Sequence, residues 1–149
     1  MTDAEINQIT DLIIGCGIEV HKALGAGLLE SVYRECLVVE LTAAQLNVAC
    51  ERRVRLTYKG KAIKSQLQID LLVENSIVVE LKAVDTIHDI HLSQVITYLK
   101  LTGCPAGLIM NFTVGALKNG VRRVDHPDRY ARKPPRVSWP SRVPRGPGE

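Results

Sequence analysis

Two carboxylates and an amine stand at Asp70, Glu80 and Lys82 within QLQIDLLVENSIVVELKAV, residues 66–84. Carboxylates held on rigid backbone are hard oxygen ligands suited to Mg2+ or Mn2+. An ion held this way lowers the pKa of a bound water and stabilises charge on a phosphoryl oxygen. A lysine beside it can orient or deprotonate that water and screen developing negative charge. The stretch reads as two strands joined by a tight turn at Glu74-Asn75-Ser76. Strict alternation puts Leu67, Ile69, Leu71 and Val73 on one face of the first strand, and Ile77, Val79, Leu81 and Ala83 on one face of the second. The opposite face carries Gln66, Gln68 and Asp70, then Val78, Glu80 and Lys82. A three-residue loop pairs Val73 with Ile77 and so sets Asp70 opposite Glu80. Cross-strand neighbours lie about 5 Å apart at Cβ, where like charges repel, so the pair asks for a cation between them. The plainer alternative makes Glu80 and Lys82 ordinary outward residues of a half-exposed strand. Val78 and Val84 on the same face weigh against it, because that face is not simply wet.

The scaffold around this hairpin follows from periodicity and punctuation. Thr2 or Asp3 caps a first helix that runs to about residue 23, with Ile6, Ile9, Ile13 and Val20 as its apolar stripe. Leu24-Gly25-Ala26-Gly27 breaks it. A second helix is expected over about 29–45, with Val32, Cys36, Val39 and Ala43 as its stripe and Leu37 and Leu41 widening it. Residues 48–58 read as a strand and Tyr58-Lys59-Gly60-Lys61 as a hairpin turn. Asp89 is the candidate N-cap of a third helix over about 90–101, closed by Gly103 and Pro105, with Ile90 and Leu99 packing on the core. Residues 106–112 are apolar, as in a strand covered on both faces, and 120–124 add an edge strand. The order α-α-β-β-β-α-β predicts an α/β fold of the α+β kind, with helices flanking a central mixed sheet.

Polar residues on these helices extend the candidate site. His91, Gln94 and Tyr98 share one face of the third helix, where Gln94 can bind the attacking water or a phosphate. Glu30 and Tyr33 sit on one side of the second helix, and His21 closes the first. Each has a plain alternative: a polar surface helix, an acid favoured near a helix start, a base favoured near a helix end.

Bulk properties narrow the class. A chain of 149 residues is one domain with room for a core, and no apolar run reaches the length of a membrane span. The N-terminus is acidic and amphipathic, unlike a signal peptide. Cys16, Cys36, Cys50 and Cys104 are scattered without a CxxC and read as reduced, mostly buried thiols of a cytoplasmic protein. The net charge of +3 is unevenly placed: six bases face two acids after Asp125, while residues 1–125 hold 13 bases and 14 acids. Residues 1–125 are therefore read as the domain and 126–149 as a disordered Pro/Arg-rich tail, and bulk charge argues no basic DNA-binding face. Arg53, Arg55 and Lys59, clustered with Arg52, Lys61 and Lys64 on the first hairpin, are the candidate nucleic-acid contacts. Gly25-Ala26-Gly27 is no dinucleotide fingerprint, and no P-loop, HExxH or nucleophile elbow occurs.

The segments GLLESVY (27–33), IDLLVENSIVVELKAVD (69–85) and HLSQVITYLKLTG (91–103) together resemble the GxxExxY family, which is assigned to the PD-(D/E)xK nuclease superfamily. The resemblance covers roughly residues 5–125, including Val20-His21-Lys22. It implies that Asp70 is the motif aspartate, that Glu80-Leu81-Lys82 is the ExK, and that Glu30 is the acid contributed by the preceding helix. It also makes Gln94 and Tyr98 the QxxxY pair of the following helix. Ile69 replaces the proline, and Gln68 stands where most members are expected to carry arginine. The implied activity is Mg2+-dependent (or Mn2+-dependent) hydrolysis of nucleic-acid phosphodiesters. Asp70, Glu80, Glu30 and the Leu81 carbonyl would hold the metal, Lys82 and Gln94 would act at the reacting water, and Tyr98, His91, Tyr33 and His21 would support them. The alternative is a non-catalytic module of the same fold that binds nucleic acid or a protein. DNA and RNA are both open as partners, as is a homodimer, and no membrane association is expected.

Overall fold

The computed structural model describes residues 1–64 and 67–128. The face expected for Gln66 and the disorder expected of the tail from residue 129 onward fall outside the described residues. Three helices and seven strands follow in the order α1 Asp3–Leu24, α2 Glu30–Ala43, β1 Val48–Val54, β2 Thr57–Tyr58, β3 Lys61–Ala62, β4 Leu67–Val73, β5 Ile77–Lys82, α3 Asp89–Thr102, β6 Ala106–Asn111 and β7 Val121–Asp125. Five strands form a mixed sheet in the order β1-β4-β5-β6-β7, with β5 and β6 parallel and the other pairs antiparallel. α3 is the crossover that the parallel pair requires.

The ends of the elements are set locally. The Thr2 hydroxyl accepts from the Glu5 amide and the Glu5 carboxylate accepts from the Thr2 amide, a reciprocal cap on α1. Gly103, at φ 74°, closes α3 in the left-handed conformation. The N-cap of α3 is His88 and not Asp89, because the His91 imidazole accepts from the His88 amide at 3.0 Å. The turn between β4 and β5 holds Glu74 and Asn75 at positive φ and closes with the Ser76 amide donating to the Val73 carbonyl at 3.0 Å.

Packing places a core on each face of the sheet. α1 and α2 cover one face through Ile6, Ile13, Val20, Tyr33, Leu37 and Leu41, which meet Leu71, Val79, Leu81 and Leu108. α3 covers the other through Val95, Tyr98 and Leu99, which meet Ile69, Leu72, Val78 and Ile109. β6 is buried at every position, as expected of a strand covered on both sides.

Several sequence expectations are corrected. The buried stripe of α2 is Tyr33, Leu37 and Leu41, while Val39 is 66% exposed. Apolar residues ring this helix, so period alone does not choose a face, and burying the larger side chains removes more apolar surface from water. Ile90, in the first turn of α3, is 73% exposed. The strand expected over 48–58 ends at Val54, and the chain leaves the sheet for a separate β2–β3 ribbon. The turn of that ribbon, Lys59-Gly60, has φ of 48° and 77°, the two-residue hairpin geometry that matches strand twist. Of the cysteines only Cys104 is buried, and Cys50 is exposed. No helix among the described residues is long and apolar enough to cross a membrane.

α3 lies so close to β6 that a Cβ on Gly107 would sit 2.7 Å from Val95 Cγ1 and 3.2 Å from the Val78 carbonyl oxygen. Gly107→Ala should therefore destabilise the fold by about 1–3 kcal/mol through overpacking. Urea unfolding measures this, and an unchanged midpoint would show that α3 can shift away without loss.

Candidate active site

β4 is regular on both sides of Asp70 but not at it. Its register with β1 runs Val48↔Val73, Ala49↔Leu72 and Cys50↔Leu71, skips Glu51 opposite Asp70, and resumes at Arg52↔Ile69, Arg53↔Gln68 and Val54↔Leu67. Glu51 has a φ of 49°, outside the extended region. Leu71 and Val73 join the core under α1 and α2, whereas Ile69 joins the core under α3. The single apolar face expected for Leu67, Ile69, Leu71 and Val73 is thus corrected. The side-chain alternation changes phase at Asp70, where the ladder to β1 is interrupted.

On its other edge β4 pairs with β5 through Val73↔Ile77, Leu72↔Val78 and Leu71↔Val79. Beyond that point carboxylates replace ladder carbonyls. The Asp70 amide donates to Glu80 Oε1 at 3.1 Å, and the Leu81 amide donates to Asp70 Oδ2 at 2.9 Å. The two strands part like a fork, with Asp70 and Glu80 seated in the opening. β5 stays fixed meanwhile, because Glu80, Leu81 and Lys82 remain in parallel register with Ile109, Met110 and Asn111 of β6. The Lys82 carbonyl accepts from the Phe112 amide at 3.0 Å, so it faces β6. Carbonyls alternate along a strand, so the Leu81 carbonyl faces the fork beside Asp70.

Burial governs the electrostatics. Glu80 is only 4% exposed. Its pKa is pushed up to about 8, first by loss of hydration and then by the negative charge of Asp70; the Asp70 amide and Lys82 oppose this. Tyr98 of α3 lies within reach of the same charge. Burial, then Glu80, raises its hydroxyl above the ordinary range, while hydrogen bonds from Gln94 and the Gln68 backbone lower it. The Gln94 amide donates to the Tyr98 hydroxyl at 3.1 Å. Tyr98 therefore joins α3 to β4 two residues before Asp70, and Gln94 is held beside it.

Glu30 reaches the same end of β5, where its carboxylate accepts from the Ala83 amide at 3.3 Å. Tyr33 and His21 stand behind this region. The buried Tyr33 hydroxyl donates to the Gly25 carbonyl at 2.6 Å and accepts from the Leu28 amide at 3.1 Å. Its ring stacks on Phe112 at 4.4 Å, and His21 Nε2 bonds the Phe112 carbonyl at 3.2 Å. These two residues tie the Gly25–Leu28 turn, and so the start of α2, to the chain beside Lys82. A cavity of about 480 Å³ opens next to His21, bordered by Lys22, Gly25, Ala26 and the turn 114–118; Asp70, Glu80 and Lys82 do not line it. His91 is engaged by the α3 cap, with its ring 5.8 Å from that of His88, and no bond joins it to the fork. Arg53, Arg55 and Lys59 are exposed, but Arg52 is buried, which removes it from the expected basic surface.

Two bracing features escaped the sequence reading. Asn111 is 2% exposed, and its side chain donates to the Val84 carbonyl at 2.8 Å and accepts from the Val84 amide at 3.2 Å. It clasps the chain just past Lys82. The available signal was one amide side chain inside the apolar run AGLIMNF. Arg34 of α2 bridges Glu51 at 2.8 Å, where β1 is distorted; neither residue has a spacing that marks it.

Among the described residues no group of three His, Cys, Asp or Glu side chains forms a metal cage. The donor set at the fork is two carboxylates with the Leu81 carbonyl, and Glu30 lies at the adjacent Ala83 amide. That set fits a hard divalent cation that keeps several waters, the habit of Mg2+. A buried carboxylate raised by its neighbour is also what such a cation would relieve.

A mixed sheet parting at an aspartate, with Glu-x-Lys on the adjoining strand, defines a nuclease-like α/β domain. The model of the PD-(D/E)XK nuclease superfamily matches residues 7–124, and the chain belongs to that superfamily. The fold is similar to that of the crystal structure of SSO0001, with a TM-score of 0.53 at 20% identity over 65% of this chain and 50% of that one. The chain thus spans about half the length of that protein, and the likeness is one of fold. No curated protein matches the chain.

Between pH 4.5 and about 8, the metal-free folded protein holds a proton on Glu80 that the unfolded chain has released. Stability therefore falls as pH rises through that window, and Glu80→Gln flattens the fall. Thermal unfolding of both proteins across it should show melting temperatures that decline by several degrees more for wild type. Parallel profiles would contradict the raised pKa.

Proposed function

We propose that this chain is a metal-dependent nuclease that hydrolyses nucleic-acid phosphodiester bonds, and that within its superfamily it belongs with the GxxExxY proteins. The observation that carries the reading is the fork itself: Asp70 and Glu80 are fixed by each other's strand through bonds of 2.9 and 3.1 Å, with Lys82 two residues on. A purely structural role gives the sheet no reason to set two carboxylates against each other, with Glu80 buried, where ordinary ladder bonds would serve.

Asp70, Glu80 and the Leu81 carbonyl would hold Mg2+ or Mn2+, with Glu30 at its edge. When bound, the cation supplies charge neutralisation at the phosphate and an acidified water. Lys82 brings a positive charge to the mouth of the fork, where it can orient a water and offset charge that develops on a phosphoryl oxygen. Gln94, held by Tyr98, offers a hydrogen bond at the wall formed by α3. The phosphodiester enters from the open side, with Arg53, Arg55 and Lys59 supplying cations beyond it. A cytoplasmic setting agrees with four free thiols.

Calorimetric titration with Mn2+ tests the site without a guess at the substrate. Wild type should bind, and Asp70→Ala and Glu80→Ala should weaken binding at least about tenfold. Lys82→Ala should keep the metal but lose about 100-fold or more in cleavage of mixed DNA and RNA substrates. Folded wild type that binds no Mn2+, alone or with a non-cleavable oligonucleotide, would overturn the reading in favour of a non-catalytic module. Full cleavage by Asp70→Ala would do the same for the assigned residues.

A further inference from the structure

We infer that the β2–β3 ribbon is a binding arm for single-stranded nucleic acid, with Tyr58 as the platform on which an unpaired base stacks. Residues 53–64, RVRLTYKGKAIK, contain five bases, all exposed, and no acid, while the rest of 1–125 carries eight bases against fourteen acids. Positive charge is thus collected on one projection of an otherwise acidic domain. Its outer part, the β2–β3 ribbon, stands apart from the five-stranded sheet, and all four residues of β2 and β3 are exposed.

The aromatic content sharpens the assignment. Among the described Phe and Tyr residues, Tyr33, Tyr98 and Phe112 are buried, and Tyr58 alone is exposed, at 62%. Burial in the core does not explain this ring. Its neighbour Lys59 places its ammonium 5.5 Å from the ring centroid, a weak cation–π contact that orients the ring in a cationic setting. A solvated ring flanked by cations matches a nucleic-acid strand, in which phosphates meet the cations and a base meets the ring. Duplex bases are already stacked on each other, so the ring favours an unpaired base. The arm is also suitably rooted. β1 bears the exposed Arg53 opposite Gln68, two residues before Asp70, and Arg55 continues outward from it. Exposed cations therefore run from the strand that pairs with the Asp70 strand to the tip of the ribbon.

The inference rests on the nuclease reading for what happens to the strand, but binding can be measured apart from cleavage. Fluorescence anisotropy with labelled oligo-dT, oligo-U and a duplex of equal length is measured on the full chain carrying Asp70→Ala, in EDTA. In this background Tyr58→Ala should weaken single-strand binding roughly tenfold, Tyr58→Phe should retain it, and duplex binding should change little. Replacing Arg53 and Arg55 with Gln should weaken both ligands and lower the salt dependence for single strands by about 0.7 per cation removed. Equal affinity of Tyr58→Ala and its parent for single strands would overturn the arm, as would equal losses for duplex and single strand. Binding to vesicles of anionic phosphatidylserine without binding to oligonucleotides would overturn it too, and would assign the arm to a membrane surface. Strand binding by a wild type that holds no metal would instead leave the arm standing and remove only the nuclease reading.

Discussion

The structure depends on two backbone amides that have no strand to bond. Where β4 and β5 part, the N–H groups of Asp70 and Leu81 would lose their ladder partners, and a buried amide left unsatisfied costs about 1–3 kcal/mol. Two carboxylates fill the vacancy, one from each strand, at 3.1 and 2.9 Å. The same atoms that satisfy the sheet are the ones that can bind a cation. Fold and chemistry are coupled at this point, because neither carboxylate can be removed without freeing a backbone donor. The interruption between Glu51 and Asp70 on the opposite edge lets β4 turn there, and the Arg34–Glu51 bridge fastens α2 to the distorted strand.

Everything around the fork limits its freedom. β6 holds Lys82 in register, Asn111 clasps Val84, and α2 presents Glu30 to Ala83 because Tyr33 anchors the turn ahead of it. α3 seals the other side through Tyr98. This enclosure makes Glu80 hard to ionise in the absence of a cation: a charge beside Asp70, out of water, has little to stabilise it except Lys82 and one amide. A site of this kind is preorganised for positive charge, and Glu80 keeps a proton until that charge arrives.

Charge is sorted at a larger scale as well. The domain is acidic at its chemical centre and basic on one arm, and the overall balance hides both. Under the proposed nuclease reading, a polyanion would be repelled by bare carboxylates and drawn to the arm, so approach along the cations and neutralisation at the fork would be complementary requirements of one substrate.

Much of this was legible in the sequence because the deciding interactions are local. The Glu74–Ser76 turn sets the Val73↔Ile77 register, and that register alone brings Asp70 to Glu80. The capping box at Thr2, the left-handed Gly103 and the Lys59-Gly60 turn act within four or five residues, and each carries its own residue signature. The rest was decided by packing. Val39 and Ile90 are apolar yet exposed, because which face of a helix is buried depends on the sheet it meets and on the volume available there. The phase change at Asp70 depends on an interrupted pairing with a strand 19 positions earlier, at Glu51. Asn111 gains its meaning only opposite Val84, and Glu30 only beside Ala83. The sequence by itself determined which chemical groups exist and the short-range geometry that pairs two of them. The tertiary structure alone decided their burial, their hydrogen-bond partners and their ease of ionisation, since those depend on water excluded by segments far apart in the chain.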